Sequence, residues 1–534
     1  MSTAPVSSIQ FGDPDPIIQQ KLTVYLRDPD AHNVIIRTLY PRLVQRSYGR
    51  EKRFFCPPPI VYIGGPGWKR CADEISKSQE NNNSPLSHRG SILNENLRWY
   101  CELGLNDHQT HLSSNIEFAL VNASYYNELL GSGLHISNAD KRKYFRMTLS
   151  IEAFRGPTTL NPLRHLGVFE TTPIHVISKP PKKQSSATVD TGYVRLKSGM
   201  KVAVCQRTRC QTFATKYMYV QGDTIVGNQG KWSCFYIYLV ALEDVDHEED
   251  SFVSEDGFIK YGDVVRLVDC LTGVCTPNLT IRKIDDGNVI LDPNSMEFVA
   301  QLHRVAFQIN GVAYWSLSGT QIVQREVHAH TLTHHEALDS IAWITVEADF
   351  CELKFYEALG LTKDPVTPIP IVTTVDMGGT SENNSYIEMR GSGLGGDLNV
   401  WFGLLTAHVE AANDGFMRVK VPAPRSVLQL ANSHPRIVKY FYDEENSISK
   451  VAVPITLVRG DGVVYPTDVS FHYNCTDVGG IGDVAMKDIF EKQLTEFDKT
   501  ASNQDLRRAS TEEDRGIFNV MTDEDDDNFP PSFS

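Results

Sequence analysis

Residues 45–59 read Gln-Arg-Ser-Tyr-Gly-Arg-Glu-Lys-Arg-Phe-Phe-Cys-Pro-Pro-Pro, and this stretch decides the fold. Arginine and lysine side chains surround a turn at Tyr48-Gly49, and three successive prolines stiffen the chain that follows. Such a turn can hold an arginine fork rigidly at a DNA groove, where arginine reads guanine O6 and N7 and its neighbours contact phosphates. The stretch indicates a DNA-facing loop beside a β-strand, with a solvated charged loop as the alternative.

The residues on both sides of this stretch have the pattern of a β protein. One short helix is predicted before it, because Asp15 can cap a helix and Pro16 suits the first helical position. Beyond that helix, short β-branched or aromatic runs are bounded by Gly, Pro, Asn and Asp, which is typical of sandwiches and barrels. The predicted strands include residues 34–36, 54–55, 60–63, 201–204, 235–240, 264–268, 289–291 and 313–317.

Three segments are predicted to connect or extend the folded parts. Residues 77–91 are polar and are expected to form a loop. Residues 365–372 repeat proline too often for a central strand and are expected to form an extended linker. Residues 476–534 are polar and acidic, and we expect them to be disordered. No internal repeat is evident.

The size and composition of the chain predict several soluble domains. With 534 residues it exceeds the usual domain length of roughly 100–200 residues. No run of about 18 apolar residues occurs, and the N-terminus lacks the features of a signal peptide, so we expect a cytosolic or nuclear protein without a membrane segment. The ten cysteines are scattered without a Cys-x-x-Cys pair and are interpreted as thiols.

The charge is unevenly distributed along the chain. The net charge is −15, and the last 59 residues, with 15 acids and 6 bases, carry −9 of it. Residues 31–70 contain a single acid, Glu51, and eight bases: Arg37, Arg42, Arg46, Arg50, Lys52, Arg53, Lys69 and Arg70. Residues 179–216, which include Lys201, and the triplet at 141–143 are also basic. Local positive potential of this kind can steer DNA whatever the total charge.

The patterns that could indicate an enzyme or a cofactor site have simpler explanations. Residues 391–396 match Gly-x-Gly-x-x-Gly, but a strand rather than a helix follows, so we predict a glycine-rich β-turn. His328, His330, His334 and His335 lack Cys or Asp at ligand spacing, and we favour a solvated loop over a metal site. With no Gly-x-Ser-x-Gly or His-Glu-x-x-His motif, we expect neither catalysis nor a cofactor.

The stretch at residues 45–59 resembles the N-terminal signature of the CSL family. These proteins, also called the Suppressor of Hairless or recombination-signal-binding J-kappa family, are the DNA-binding effectors of Notch signalling. Further segments that resemble the family occur in the right order at residues 137–145, 176–185, 301–303, 343–344, 355–357, 365–372, 400–403 and 457–465. The resemblance spans roughly residues 15–473, and its many separate segments make it specific.

The resemblance implies an all-β architecture of three domains. These are a Rel-like, immunoglobulin-type N-terminal domain at 15–183, a β-trefoil at 184–358 and a second Rel-like, immunoglobulin-type (IPT/TIG) domain at 359–475. Residues 1–14 and the acidic residues 476–534 are the expected tails. The resemblance also implies a nuclear protein that binds GTGGGAA-like DNA as a monomer through its first two domains.

The resemblance further assigns the DNA contacts. Arg53 matches the major-groove base reader, and Arg207, Arg209, Cys210 and Gln211 match a loop that enters the minor groove. Further contacts are expected from Arg46, Tyr48, Lys52, Lys141, Arg142, Lys182 and Lys183. Cys210 stands where the family has serine, and a thiol is a weaker hydrogen-bond partner than a hydroxyl, so we expect relaxed minor-groove readout.

A partner-peptide pocket is also implied, which in the family takes a tryptophan-containing motif of the Notch intracellular domain or of corepressors. Its matching residues are Phe252, Ser254, Cys275 and Gln324. Ser254 replaces an apolar residue, and an unpaired buried hydroxyl costs about 1–3 kcal/mol. The leading hypothesis is a CSL-type regulator that recruits coactivators or corepressors. The alternatives are a Notch-independent paralogue that represses or activates on DNA, and a lectin-like trefoil scaffold without DNA activity.

Overall fold

The computed structural model describes residues 16–80, 97–105, 114–119, 126–131, 133–155, 163–178, 194–206, 215–241, 254–291, 297–378, 385–434, 436–443 and 448–474. The described residues are predominantly β-strand, as the sequence predicts, and they form two sandwich-like parts and a closed barrel. Within these ranges, no helix is both long and apolar enough to cross a membrane. The tail at 476–534 lies outside the described residues.

The described residues of the N-terminal part form two helices and ten strands. The helices are α1 (Pro16–Arg27) and α2 (Pro66–Glu80). The strands are β1 (Val34–Pro41), β2 (Leu43–Gln45), β3 (Ile60–Gly64), β4 (Leu97–Leu105), β5 (Ser114–Ala119), β6 (Tyr126–Leu130), β7 (Tyr144–Phe145), β8 (Met147–Arg155), β9 (Arg164–Glu170) and β10 (Ile174–Ile177). One sheet has the order β5-β4-β8-β9, a second places β1 next to β3 and β3 next to β6, and the small third sheet is β2-β10-β7.

Helix α2 corrects the prediction of a single helix. Trp68, Cys71 and Ile75 follow one another at helical spacing and are buried, and Pro66 occupies the first helical position. Residues 77–80 of the predicted polar loop belong to this helix, and residues 81–96 lie outside the described part. The predicted strand at 54–55 is reduced to an isolated bridge from Phe54 to His135, because the prolines that follow lack the N–H groups that a ladder needs.

In the central part, the residues that the structure describes form twelve strands before β23. They are β11 (Met200–Gln206), β12 (Lys216–Gln221), β13 (Thr224–Asn228), β14 (Phe235–Val240), β15 (Ser254–Glu255), β16 (Val264–Asp269), β17 (Leu279–Asp285), β18 (Asn288–Ile290), β19 (Arg304–Asn310), β20 (Ala313–Ser318), β21 (Gln321–Glu326) and β22 (His334–Glu336). The long strand β23 (Trp343–Glu357) follows them. Short 3-10 turns lie at Pro29–Ala31 and Asp339–Ile341.

Six antiparallel strands close the central part into a barrel. The ring runs β11-β14-β16-β17-β19-β23 and returns to β11. Alternate residues point inward, as in a strand they must, and the fully buried set includes Val204, Ile237, Leu267 and Phe307. Closure leaves the barrel without free edges.

A threefold hydrogen-bond pattern at one end of the barrel shows an internal repeat that the sequence does not make evident. The N–H of Leu196 donates to Val299 O (2.9 Å), that of Val299 to Ile259 O (2.8 Å) and that of Ile259 to Leu196 O (3.0 Å). All three side chains are fully buried. This triangle of backbone segments is the arrangement expected of a β-trefoil.

The C-terminal part is a second sandwich. It contains the helix α3 (Pro424–Ser433) and the strands β24 (Ile371–Gly378), β25 (Tyr386–Ser392), β26 (Leu398–Phe402), β27 (Leu405–Ala407), β28 (Val409–Asn413), β29 (Phe416–Lys420), β30 (Lys439–Asp443), β31 (Ile448–Arg459) and β32 (Val463–Asn474). One sheet has the order β24-β25-β29-β28, and the other is built on β31, which pairs with β26, β30 and β32. Gly391 and Ser392 end β25, and residues 393–397 bend into β26, so the prediction that a strand rather than a helix follows is confirmed.

Strand β23 connects all three parts of the molecule. Its first residues pair with β11 and β19 of the barrel, its middle pairs with β1 over Ala348–Phe355, and its last two residues pair with β32. The residues after β23 are also fixed, because Val366 N–H donates to Leu166 O of β9 (2.8 Å) and Tyr465 Oη donates to Val366 O (2.6 Å). The predicted linker at 365–372 is therefore bonded to both sandwiches.

Candidate nucleic-acid interface

The loop after β2 is a closed turn. Tyr48 and Glu51 exchange both backbone hydrogen bonds, at 3.1 and 3.0 Å. Gly49 has a φ of +59°, in the left-handed region that side-chain-bearing residues rarely adopt. The sequence Tyr-Gly at this point therefore fixes the turn that carries the basic residues after it.

Hydrogen bonds and a ring contact hold the Arg53 guanidinium in place. Its Nη1 donates to the Ser178 carbonyl (3.1 Å), its Nη2 lies 3.5 Å from a Glu51 carboxylate oxygen, and its Cζ lies 6.0 Å from the centre of the Tyr48 ring. The backbone N–H of Arg53 donates to Ser47 Oγ (3.2 Å). The side chain keeps 20% of its surface exposed. This arginine fork is thus oriented before any ligand arrives.

Arg46 connects this turn to the segment around residues 141–143. Its Nη2 donates to the Arg142 carbonyl (2.5 Å) and its Nη1 to Ser178 Oγ (3.4 Å). Its backbone N–H donates to Ile177 O at the end of β10 (2.8 Å). Two basic clusters that are far apart in the sequence therefore share one face of the N-terminal part.

The 141–143 segment is ordered by its own contacts. Arg142 forms an ion pair with Asp140 and its Cζ lies 4.3 Å from the centre of the Phe145 ring. Lys141 Nζ donates to Asn138 O (2.8 Å). Lys52 and Lys141 are exposed, as a phosphate-binding ammonium must be. The face formed by Arg46, Tyr48, Lys52, Arg53, Lys141 and Arg142 is called the basic face below.

Several basic residues of the segments 31–70 and 179–216 do not belong to the basic face. Arg37 pairs with Glu352 (2.6 Å) and Arg42 with Asp349 (3.1 Å), both on β23. Lys201 also pairs with Asp349 (3.0 Å). These three side chains join strands to one another, which a count of charges along the sequence cannot distinguish from DNA contacts.

The remaining predicted contacts are placed only in part. Arg207, Arg209, Cys210, Gln211, Lys182, Lys183 and Phe252 lie outside the described residues. Of the pocket residues, Ser254 is exposed on β15 opposite Val240, Cys275 is half-buried and bridges Val268, and Gln324 is exposed on β21 opposite Trp315. The peptide pocket therefore stays a prediction.

The histidine cluster divides into exposed and buried members. His328 and His330 are exposed, but His335 is buried with its Nδ1 2.8 Å from the Tyr314 hydroxyl. Burial and the nearby Arg282 lower the pKa of His335. The prediction of a solvated loop is wrong for His335. Across the described ranges, no three His, Cys, Asp or Glu side chains are grouped so as to hold a metal ion.

Sequence reasoning missed the acceptors and hydroxyls that orient the basic face. Ser178 contributes both its carbonyl and its hydroxyl, and Ser47 and Asp140 hold Arg53 and Arg142. Ser178 lies within the family-like segment 176–185, so its place in that segment was the available signal.

Comparison with known families divides the chain into three matched regions. The family described as "LAG1, DNA binding" matches residues 36–190. The family described as a beta-trefoil DNA-binding domain matches residues 221–343, and a TIG domain matches residues 369–473. These regions overlap the N-terminal part, the barrel and the C-terminal sandwich, and the second begins after β11.

Similar proteins occur in mammals and in fission yeast. The human protein named recombining binding protein suppressor of hairless-like protein is 31% identical over 448 residues, which cover 82% of this chain and 79% of the relative. The mouse protein of the same name is 30% identical, with 84% of each chain covered. Transcription factor cbf11 of Schizosaccharomyces pombe is 27% identical over 290 residues, 52% of this chain and 39% of the relative.

Proposed function

This chain belongs to the CSL family of DNA-binding transcription factors, and from that membership we propose that it binds GTGGGAA-like duplex sites as a monomer in the nucleus and recruits coregulators there. The regulator acts by binding and not by catalysis. Its DNA contacts come from the basic face and from residues 207–211, which follow β11 in the sequence.

The observation that carries this proposal is the fixed guanidinium of Arg53. Bidentate recognition of guanine needs two parallel N–H donors held in one plane, and each good bidentate pair contributes about 1–3 kcal/mol of discrimination. The Ser178 carbonyl, the Glu51 carboxylate and the Tyr48 ring restrict the orientation of that plane. Because the side chain is already ordered, little entropy is lost when it meets a base.

The other members of the basic face have a different role. Lys52 and Lys141 are exposed and carry flexible ammonium groups, which suit phosphates better than base edges. Phosphate contacts fix the register of the protein on the duplex without reading its sequence. The proposed readout is completed in the minor groove by Arg207, Arg209, Cys210 and Gln211, which the family resemblance assigns to it.

A second candidate function follows from Ser254. This residue places a hydroxyl where the family has an apolar residue at the peptide pocket. A polar group there weakens binding of a tryptophan-containing motif. The chain would then act on DNA as a repressor or activator with weakened coupling to the Notch intracellular domain.

The proposed DNA recognition is tested with a GTGGGAA duplex and a scrambled duplex at about 150 mM salt. The wild-type chain is expected to prefer the first duplex. Arg53→Ala should lower affinity for it by about 1–3 kcal/mol and leave binding to the scrambled duplex almost unchanged. Equal binding to both duplexes would contradict the proposal, and a flat salt dependence of that binding would favour a trefoil scaffold without DNA activity.

A further inference from the structure

Asp349 lies where the N-terminal part meets the barrel. It is on β23, opposite Tyr40 of β1, and its side chain is 16% exposed. One carboxylate oxygen, Oδ2, accepts from Arg42 Nη1 (3.1 Å), Thr172 Oγ1 (3.1 Å) and Tyr40 Oη (3.3 Å). The other, Oδ1, accepts from Lys201 Nζ (3.0 Å). The carboxylate therefore accepts hydrogen bonds from the N-terminal part and from the barrel at the same time.

The two cations on Asp349 come from different parts of the molecule. Arg42 lies between β1 and β2, and Lys201 lies in β11 of the barrel. Both are mostly buried, with side chains 23% and 28% exposed. Although burial opposes ionisation, Lys201 and the other donors hold the pKa of Asp349 below its usual value. The bridge is therefore ionised at neutral pH.

The two cations belong to strands of different DNA-binding parts. Arg42 is followed directly by β2, which leads into the turn with Arg53. Lys201 is near the start of β11, a strand of the barrel ring, and the barrel contains the region that matches a beta-trefoil DNA-binding family. Asp349 therefore joins the strand before the Arg53 turn to the barrel.

The surroundings of Asp349 leave little freedom for either strand. Tyr40 Oη lies 2.7 Å from Thr172 Oγ1 and accepts from the N–H of Thr172 (3.2 Å). Arg42 donates its backbone N–H to Glu347 O (2.7 Å) and its Nε to Pro173 O (3.0 Å). The carboxylate is thus the common acceptor in a network that fixes the relative position of β2 and β11.

We propose that Asp349 is a positioning residue that sets the spacing between the turn carrying Arg53 and the barrel. This inference rests on the proposed function. The N-terminal part and the barrel must contact one duplex in phase, and recognition groups have to be held within about 0.5 Å of their productive geometry. Without the carboxylate, Arg42 and Lys201 lose the anion to which both of them bond.

The test uses the full chain and three duplexes. One duplex carries the GTGGGAA site. A second carries the same site with a single base pair inserted between the positions proposed to contact the N-terminal part and the barrel, and the third is scrambled. The variants are Asp349→Asn, which keeps the shape but removes the charge, and Lys201→Met, which removes only the barrel side of the bridge. Asp339→Asn is the matched control, because Asp339 pairs with Arg304 at 2.6 Å on the exposed barrel surface.

Both bridge variants are expected to lose about tenfold in affinity for the intact site. Their preference for the intact site over the inserted site should fall towards one, while binding to the scrambled duplex and the control variant stay unchanged. A loss that is equal on all duplexes, with spacing preference kept, would show a merely structural role and overturn the inference.

The duplex preference of the wild-type chain tests the proposed function separately from the role of Asp349. If the wild-type chain prefers the intact site and Asp349→Asn and Lys201→Met keep the same affinities and spacing preference, only the positioning role is refuted. If the wild-type chain shows no preference for the intact site, the proposed function fails and the positioning role with it. Thermal unfolding of each variant shows whether a loss of binding comes from unfolding.

Discussion

Ser254 is a single hydroxyl at a position where the family has an apolar side chain. It is exposed on β15 in the unbound chain, so the hydroxyl is solvated until a peptide covers it. Burying it without a partner costs about 1–3 kcal/mol. We therefore predict that Ser254→Val strengthens binding of a tryptophan-containing peptide of the Notch intracellular domain about tenfold or more.

Isothermal titration of the peptide into both proteins measures this difference. Ser470→Val is the control, because Ser470 is also exposed on a strand but lies in the C-terminal sandwich. Equal affinities of the wild-type chain and Ser254→Val would show that the hydroxyl does not face the peptide. A gain in the control variant would show that added apolar surface, and not the site, is responsible.

The arginines of the basic face are predictable from the sequence, but the groups that orient them are not. Arg46, Arg53 and Arg142 are assigned to DNA by resemblance, and the structure brings them to one face. The acceptor that orders Arg53, the Ser178 carbonyl, is 125 positions away along the chain. Contacts of this kind depend on strand pairing, here the parallel pair of β2 with β10, which local sequence patterns do not reveal.

Strand β23 begins at Trp343, whose side chain is part of the hydrophobic core of the barrel. Trp343 is fully buried, and its Nε1 donates to Trp315 O (2.9 Å). Replacing a buried tryptophan with alanine costs about 3–5 kcal/mol through lost burial and the cavity that remains. We predict that Trp343→Ala lowers the free energy of unfolding by about this amount.

Urea unfolding followed by circular dichroism measures the effect as a shift of the transition midpoint. Leu332→Ala is the control, because Leu332 is 98% exposed and exposed substitutions change stability by about 0.5 kcal/mol or less. An unchanged midpoint in Trp343→Ala would mean that the barrel core does not determine the observed transition.

Some helices and strands can be predicted from the sequence and others cannot, for physical reasons. Helix α1 and most of the predicted strands are confirmed, because periodic apolar faces and turn residues are local signals. Helix α2 was missed although Trp68, Cys71 and Ile75 have helical spacing, because its polar second half resembles a loop. The threefold repeat was missed because its three segments share only a buried apolar residue and a hydrogen-bond pattern.

In the whole molecule, β23 joins the three parts by strand pairing. It pairs with the barrel, with β1 and with β32 in succession. The buried ion pair of Arg164 with Glu357 (2.5 Å) adds a contact at its end, where Thr362 donates to the same carboxylate (2.9 Å). Contacts inside the protein therefore join the N-terminal part, the barrel and the C-terminal part to one another.

The acidic residues 476–534 act on the whole molecule through charge. They carry 15 acids and 6 bases and so supply −9 of the net −15, and like charge repels the phosphate backbone over about one Debye length, which is about 30 Å at 0.01 M salt and about 8 Å at 0.15 M. We predict that a chain ending at Cys475 binds the GTGGGAA duplex more tightly than the full chain at the lower salt concentration, with little difference at the higher. Fluorescence anisotropy at both concentrations measures this, with a full chain neutralised at residues 523–527 as the matched variant. A difference that persists at the higher salt concentration would indicate direct contact of the tail with the basic face, and no difference at the lower would show that the tail charge does not reach the DNA.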